Sequence, residues 1–272
     1  MREKEKKMDL QLGDVETTAL IPLSIKANET RRKNPRVRDE RAVEIIKALG
    51  IDTTPYDKFL SREGVIARTI MLDRQMKEII SKKPDTVVIN MGAGFDNRFE
   101  RVDNGQIRWF DLDLPDSIAV RKKAFPERDR VEMISGDLMK DDWCGAVKEA
   151  VKESGSKPVF IAEGLFMYFS LDEIKVLLSI LTSNFKNGVL IAEQNCKMMV
   201  KQQKHHDTVR KTKAVFRSGT DSGEEIAALN KDIRLISEHS FNEEMSKHSF
   251  RGKLFAALLP KVNDRWATFE WG

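Results

Sequence analysis

The sequence predicts an α/β protein with a doubly wound, mostly parallel sheet and an N-terminal helical cap. Three observations carry this. From Pro84 onward, short apolar runs alternate with helix-length amphipathic stretches, the pattern of a parallel sheet covered on both faces. The first run, Thr86–Asn90, breaks directly into Met91-Gly-Ala-Gly94. Acids fall at the carboxyl end of nearly every run: Asp96, Asp111 and Asp113, Asp137 and Glu163. In open α/β sheets ligands bind at those ends.

The elements follow in order. Thr17 to Gly50 reads as helix, with Ala42, Val43, Ile46 and Leu49 at three- and four-residue steps, interrupted by the basic cluster Arg31–Arg36. That cluster is expected to be a solvated loop, as basic runs usually are. A second helix covers Gly64 to Ser81, and Lys82-Lys83-Pro84 closes it. Residues 1–83 would form the cap and 84–272 the core. Strands are expected at Thr86–Asn90, Ile107–Asp111, Val131–Ser135, Val159–Ala162 and Val189–Glu193. Helices fall at Ile118–Ala124, around Trp143, Val147 and Val151, and at Leu171–Phe185, the last ended by Asn187-Gly188 as a left-handed cap. Beyond Glu193 a long polar helix is expected from Lys197 to Phe216, within a helical insertion around 197–230. Further strands are expected near Ile233–Ser237, Leu254–Leu258 and Thr268–Trp271.

Composition narrows the function classes. The chain has 272 residues, 40% hydrophobic and 33% charged, enough to fill a core under a soluble surface. Its 47 basic and 43 acidic residues nearly balance, which argues against a nucleic-acid partner. No run approaches the roughly 18 apolar residues of a membrane span. The charged start, Met1-Arg-Glu-Lys-Glu-Lys-Lys7, is no signal peptide. Cys144 and Cys196 are too few for a disulfide framework, so a reducing cytoplasm is expected. No metal site is expected: the adjacent pair His205-His206 would point about 100° apart on a helix. Cys196 has no neighbour that would lower its pKa, and reads as inert packing.

The glycine turn specifies a ligand type. A dinucleotide fingerprint would place a third glycine at position 97, where Asn97 stands. An acid at Asp96 would repel a phosphate seated on a helix N-terminus. Both features point to an unphosphorylated nucleoside. Asp113 lies 19 residues beyond Gly94, the spacing at which an acid accepts ribose hydroxyls, with Asp111 competing for the role. Asp137 is placed to accept from an adenine amine while Leu138 packs on the ring. Glu163, ending the apolar strand Val159–Ala162, needs a cationic partner. A ligand with hydroxyls, an amine and a positive charge matches this rim, and S-adenosylmethionine has all three.

These residues also resemble the class I S-adenosylmethionine-dependent methyltransferases, specifically the leucine carboxyl methyltransferase family with its tetracenomycin-type polyketide O-methyltransferases. The resemblance runs from about Thr18 to Glu193. It rests on Gly92-Ala-Gly-Phe-Asp-Asn-Arg98, Trp109-Phe-Asp-Leu-Asp-Leu-Pro115, Gly136-Asp-Leu138 and Ala162-Glu-Gly-Leu-Phe-Met-Tyr168. Gly64-Val-Ile-Ala-Arg68 and Thr18–Leu23 resemble the family's arginine segment and the start of its cap. It implies a seven-stranded Rossmann-like sheet and methyl transfer to a carboxylate or hydroxyl oxygen of a small molecule or protein C-terminus. It further implies Arg68 at the methionine carboxylate, Gly92 and Gly94 against the cofactor, and Asp113 at the ribose. Asp137 and Leu138 would meet the adenine, with Asp96 on the rim and Glu163 near the methionine amine. Tyr168 is a candidate on the acceptor side, Met198-Met199 could floor the pocket, and Lys26 reads as a solvated lysine. A carboxylate acceptor needs no general base, and no convincing base is visible for a hydroxyl. Two readings compete: a non-catalytic adenosylmethionine-binding subunit, and an NAD-dependent oxidoreductase, which Asn97 and Asp96 oppose.

Overall fold

The computed structural model describes residues 14–202, 215–260 and 262–272. His205 and His206 lie outside them. Helix α1 (Asp14–Thr30) and helix α2 (Glu40–Leu49) are joined by the basic loop. The Asp39 carboxylate caps α2 by accepting from the Ala42 N–H, and Gly50 closes it at φ +64°. Helix α3 (Phe59–Lys82) starts five residues earlier than expected and runs 24 residues.

Next come β1 (Val87–Met91), α4 (Arg98–Val102), β2 (Arg108–Asp113), α5 (Pro115–Ala124), β3 (Val131–Ser135) and α6 (Cys144–Ser154). They are followed by β4 (Val159–Ala162), α7 (Leu171–Asn184) and β5 (Gly188–Gln194). The remainder holds α8 (Lys197–Lys201), α9 (Gly223–Ala227), β6 (Arg234–Ser240), α10 (Asn242–His248), α11 (Phe250–Leu258) and β7 (Arg265–Trp271).

The seven strands form one sheet in the order β3-β2-β1-β4-β5-β7-β6. Strands β1 to β5 are parallel, while β7 runs antiparallel to both β5 and β6. Strand order reverses between β1 and β4, so their carboxyl ends open the crevice where such sheets bind ligands. Alternation along β1 feeds two cores. Val87, Ile89 and Met91 pack with α6 and α7 residues such as Val147, Leu177 and Leu181. Val88 packs on the opposite face with Leu72, Met76 and Ile80 of α3. A third cluster joins α1 and α2 to Phe95 and to Val120 and Ala124 of α5, bringing the cap over the crevice.

Three expectations fail, each for a visible reason. Leu254–Leu258 belongs to α11, because the Ser249 hydroxyl caps a helix at the Gly252 N–H, and Leu254 and Leu258 fall on one exposed face at helical spacing. Of the helix expected from Lys197 to Phe216, Lys197–Lys201 forms α8, Gln202 is a turn and 215–220 has no regular structure, while 203–214 lie outside the described residues. Helix α7 is closed by Phe185 in extended backbone rather than by Asn187-Gly188, since Gly188 already belongs to β5. What Gly188 provides is room: the Trp271 ring lies over it, with the indole N–H donating to the Phe185 carbonyl at 2.8 Å. A Cβ there would stand 2.3 Å from Trp271 Cζ2. Gly188→Ala is therefore expected to cost about 1–3 kcal/mol of stability by overpacking. A urea midpoint unchanged from wild type would refute this.

Candidate functional site

The glycine turn is held by β2 and α5. Gly92 and Gly94 have φ of +67° and +45°, backbone that side chains rarely adopt. The Gly92 N–H donates to the Leu112 carbonyl at 2.8 Å, and the Gly94 N–H to Asp113 Oδ2 at 2.8 Å. Arg121 of α5 donates to the carbonyls of Gly94 and Asp96 at 2.8 and 2.7 Å. The same guanidinium grips Asp111 Oδ2 at 2.7 Å, and the Trp109 indole donates to Asp111 Oδ1 at 2.9 Å. Asp111 is thereby consumed beneath the loop. Asp113 lines the cavity; burial pushes its carboxyl upward, opposed by the N–H groups of Gly94 and Leu114.

Behind the turn lies a chain of buried ions. Arg98 is fully buried and donates to Asp73 of α3, Asp96 of the turn and Glu163 after β4 at 2.7, 2.6 and 2.5 Å. Arg101 continues the chain to Asp73 at 2.6 Å and Asp39 at 3.1 Å. Arg68 stands between Glu163 at 2.9 Å and Glu193 at 3.1 Å. Burial alone would raise Asp96, yet Arg98, Lys26 and Arg101 hold its carboxyl well below the usual range. Glu163 is likewise lowered, by Arg98 and Arg68 against its burial. Glu193 goes the other way, because burial and the charge of Glu163 outweigh Arg68.

This network corrects three sequence readings. Asp96 cannot act as a bare repelling acid, since its charge is matched by Arg98. Lys26 is no solvated lysine: it is buried, 3.4 Å from Asp96 and 3.5 Å from Asp39. The basic loop is solvated only in part. Arg31 and Lys33 are exposed, but Arg36 binds Glu29 of α1 at 2.9 Å and Glu63 of α3 at 2.7 Å.

The cavity above these groups has a volume of about 510 Å³. Arg68, Gly92, Gly94, Asp96, Asp113, Glu163 and Tyr168 all line it. Asp137 and Leu138 do not. The Asp137 carboxylate closes its own turn on the Met139 N–H at 2.9 Å, and Leu138 packs into the core. Leu165 lies over Gly92. Burial pushes the Tyr168 phenol up, and its hydroxyl is hydrogen-bonded to the Thr18 side chain, which makes it a poor base. Met198 and Met199 line the cavity, and burial raises the Cys196 thiol. Among the described residues no cluster of three His, Cys, Asp or Glu is placed to hold a metal ion, and no helix is long and apolar enough to cross a membrane.

Sequence reasoning missed Lys26, Glu193, Asn195 and Asp264, all of which line the cavity. Glu193 carried the same signal as Glu163, an acid ending an apolar strand. Lys26 lies three residues beyond Leu23 on a face that also holds Leu20 and Ala27, the spacing of a buried helix stripe. Asp264 carried no local signal.

Residues 19–182 match the model of the leucine carboxyl methyltransferase family. The chain belongs to the leucine carboxyl methyltransferase family. It is a methyltransferase, and its cofactor is S-adenosylmethionine. The tetracenomycin polyketide synthesis O-methyltransferase TcmP of Streptomyces glaucescens is 25% identical over 210 residues, covering 76% of each chain. A candidate methyltransferase of Thermobifida fusca shares the fold at TM-score 0.62 and 12% identity, covering 93% of this chain and 94% of that one. Magnesium protoporphyrin IX methyltransferase from Synechocystis, solved with bound SAH, shares it at TM-score 0.52 and 12% identity, covering 86% and 94%. The residues present fit the cofactor. Two left-handed glycines let a ligand approach backbone, Asp113 offers acceptors to hydroxyls, and Arg68 beside Glu163 offers both signs of charge to an amino-acid end.

Arg98→Met would take the shortest ion pair from Asp96 and Glu163 and one of two cations from Asp73, and is expected to cost about 3–5 kcal/mol at pH 7. Asp96 and Glu163 are depressed in the fold, so their contribution is present above the unfolded carboxylate pKa and is lost as pH falls through their folded values. The stability gap between variant and wild type should therefore narrow below about pH 4. Denaturant melts at pH 7 and pH 3.5 giving the same gap would refute this account.

Proposed function

We propose that this protein transfers a methyl group from S-adenosylmethionine to an oxygen, carboxylate or hydroxyl, of a largely apolar small molecule. The observation that carries the reading is the mixed lining of the cavity. Its lining combines polar groups, the glycine turn, Asp113, Arg68 and Glu163, with the apolar side chains of Ile21, Met198, Phe216, Phe241, Met245 and Phe255. The relation to TcmP supports oxygen as the acceptor atom. On this reading residues 1–83 serve as a cap and residues 84–272 as the binding core.

When bound, the cofactor supplies a methyl group already activated on a sulfonium. The chain's task is then to orient and to exclude water. Asp113 accepts hydrogen bonds from the ribose hydroxyls, with its own position set by the Gly94 N–H. Arg68 takes the carboxylate of the amino-acid end, and Glu163 its ammonium. Both are held in place by Arg98 and Glu193. Tyr168, packed on Phe216 at 5.8 Å between ring centres, and the methionines of α8 keep the acceptor end dry.

Calorimetry with S-adenosylhomocysteine tests this. Asp113→Ala removes charged hydrogen bonds to the ribose and should weaken binding about 10–100-fold. His205→Ala should leave it within about twofold. Equal effects of the two, or no binding by the wild type, would overturn the site.

A further inference from the structure

We propose that helix α11 docks on an anionic lipid surface and that the mouth of the cavity opens against that surface. The proposal goes beyond the methyl-transfer reading and does not depend on it.

Helix α11 is apolar on more than one side. Phe250, Leu254 and Leu258 recur at four-residue steps and so form one stripe. They are 80%, 48% and 69% exposed. Phe255, on another side of the helix, packs with Phe241 and Met245 and lines the cavity. Gly252 fixes the orientation, because a Cβ there would stand 2.3 Å from the Met245 carbonyl oxygen of α10. The direction opposite that contact falls between Phe250 and Leu254, so the stripe points straight out of the protein.

The start of α3 extends the patch. The Arg251 guanidinium stacks on Phe59, 4.1 Å from the ring centre. Leu60, the next residue, is exposed, as is Leu259 just past α11, and both also line the cavity. They therefore stand at its mouth. Five of the eleven large apolar side chains exposed among the described residues gather at this one corner, which marks it as a contact surface.

Charge decides what covers it. From Met245 to Pro260 the sequence holds no acid, but it holds Lys247, His248, Arg251 and Lys253. Arg251 and Lys253 flank the stripe on its two sides, both exposed and neither paired with a carboxylate among the described residues. A groove of about 540 Å³ continues the cationic border toward the α1–α2 loop, lined by Arg32, Arg62, Lys247 and Arg251. The two acids in it, Glu29 and Glu63, are held by Arg36 at 2.9 and 2.7 Å.

An apolar stripe with cations along both borders fits a planar anionic interface. The stripe enters the acyl region while the cations stay at the depth of the phosphates. A second copy of this chain would instead set these cations against their own kind. Nine residues cannot cross a bilayer, so the helix lies in its surface. An apolar acceptor dissolved in the lipid then passes Leu60 and Leu259 into the cavity without crossing water.

Co-sedimentation with lipid vesicles tests this. One set is phosphatidylcholine alone, and the other replaces about a third of it by phosphatidylglycerol. Wild type should bind the anionic vesicles at least tenfold more tightly, and raising the salt should weaken that binding. Phe250→Asp with Leu258→Asp should lower it tenfold or more while S-adenosylhomocysteine binding stays unchanged. Arg251→Gln with Lys253→Gln should lower it about fivefold per charge removed. The indole of Phe250→Trp should be quenched by phosphatidylcholine brominated on its acyl chains, a readout that holds even if the aspartate variant fails to fold. No binding to anionic vesicles, equal binding to neutral ones, or no quenching in Phe250→Trp would overturn the proposal. So would a dimer in sedimentation velocity that the aspartate variant splits, which would assign the stripe to a second copy. None of these outcomes bears on the methyl-transfer reading, which fails only if the wild type does not bind S-adenosylhomocysteine.

Discussion

The buried guanidinium of Arg98 is the interaction on which the rest of the structure depends. It reaches three carboxylates from three separate segments: Asp73 in α3, Asp96 in the glycine turn and Glu163 after β4. Guanidinium suits the place because its rigid fork offers several donors at fixed angles and stays charged under any desolvation found here. Removing a full charge from water is costly, and only simultaneous pairing with several acids offsets it. The consequence is geometric: the cap helix α3, the turn and the β4 loop cannot move independently.

That constraint sets the electrostatics of the cavity. Arg98 and Lys26 neutralise Asp96, so the acid rim is less negative than its composition suggests. Arg68 is shared between Glu163 and Glu193 and sits ready to exchange one partner for a ligand group. A second buried pair, Asp111 with Arg121, fixes the turn from below and leaves Asp113 to face the cavity. The two acids of β2 are two residues apart and share a face of the strand; they differ in depth, Asp111 being fully buried beneath the turn and Asp113 standing at the strand's open end.

Much of the fold was legible because its signals are local. Five parallel strands and the helices between them follow from apolar runs, amphipathic spacing and the Gly92-Ala-Gly94 break. Legibility fell after Glu193, where the segments are short and their pairing is not local. Leu254–Leu258 reads as a strand by residue type, but the Ser249 cap makes it helical. Gly188 reads as a helix stop, but its reason for being glycine is an indole 83 residues later in the chain. At the site, Gly92, Gly94, Asp113 and Glu163 were readable from spacing and type, while Arg68 stood out only through the family resemblance. Asp137 and Leu138 were readable too, yet the structure keeps them outside the cavity, because a side chain's own turn and core contacts are not visible in its neighbours.

By itself, the sequence determined the α/β alternation, the glycine turn at the first strand and the supply of acids at the strand ends. These depend on residue type over a few positions, where backbone preference and burial periodicity act directly. Tertiary structure decided which acids are free and which are tied. It buried Lys26, joined Arg98 to three partners, separated Asp113 from Asp111, and turned β7 so that Asp264 meets Asn195. The physical reason is that an ionisable side chain takes its character from its solvent exposure and from the charges around it. Those charges come from residues far apart in sequence, and only the folded chain brings them together.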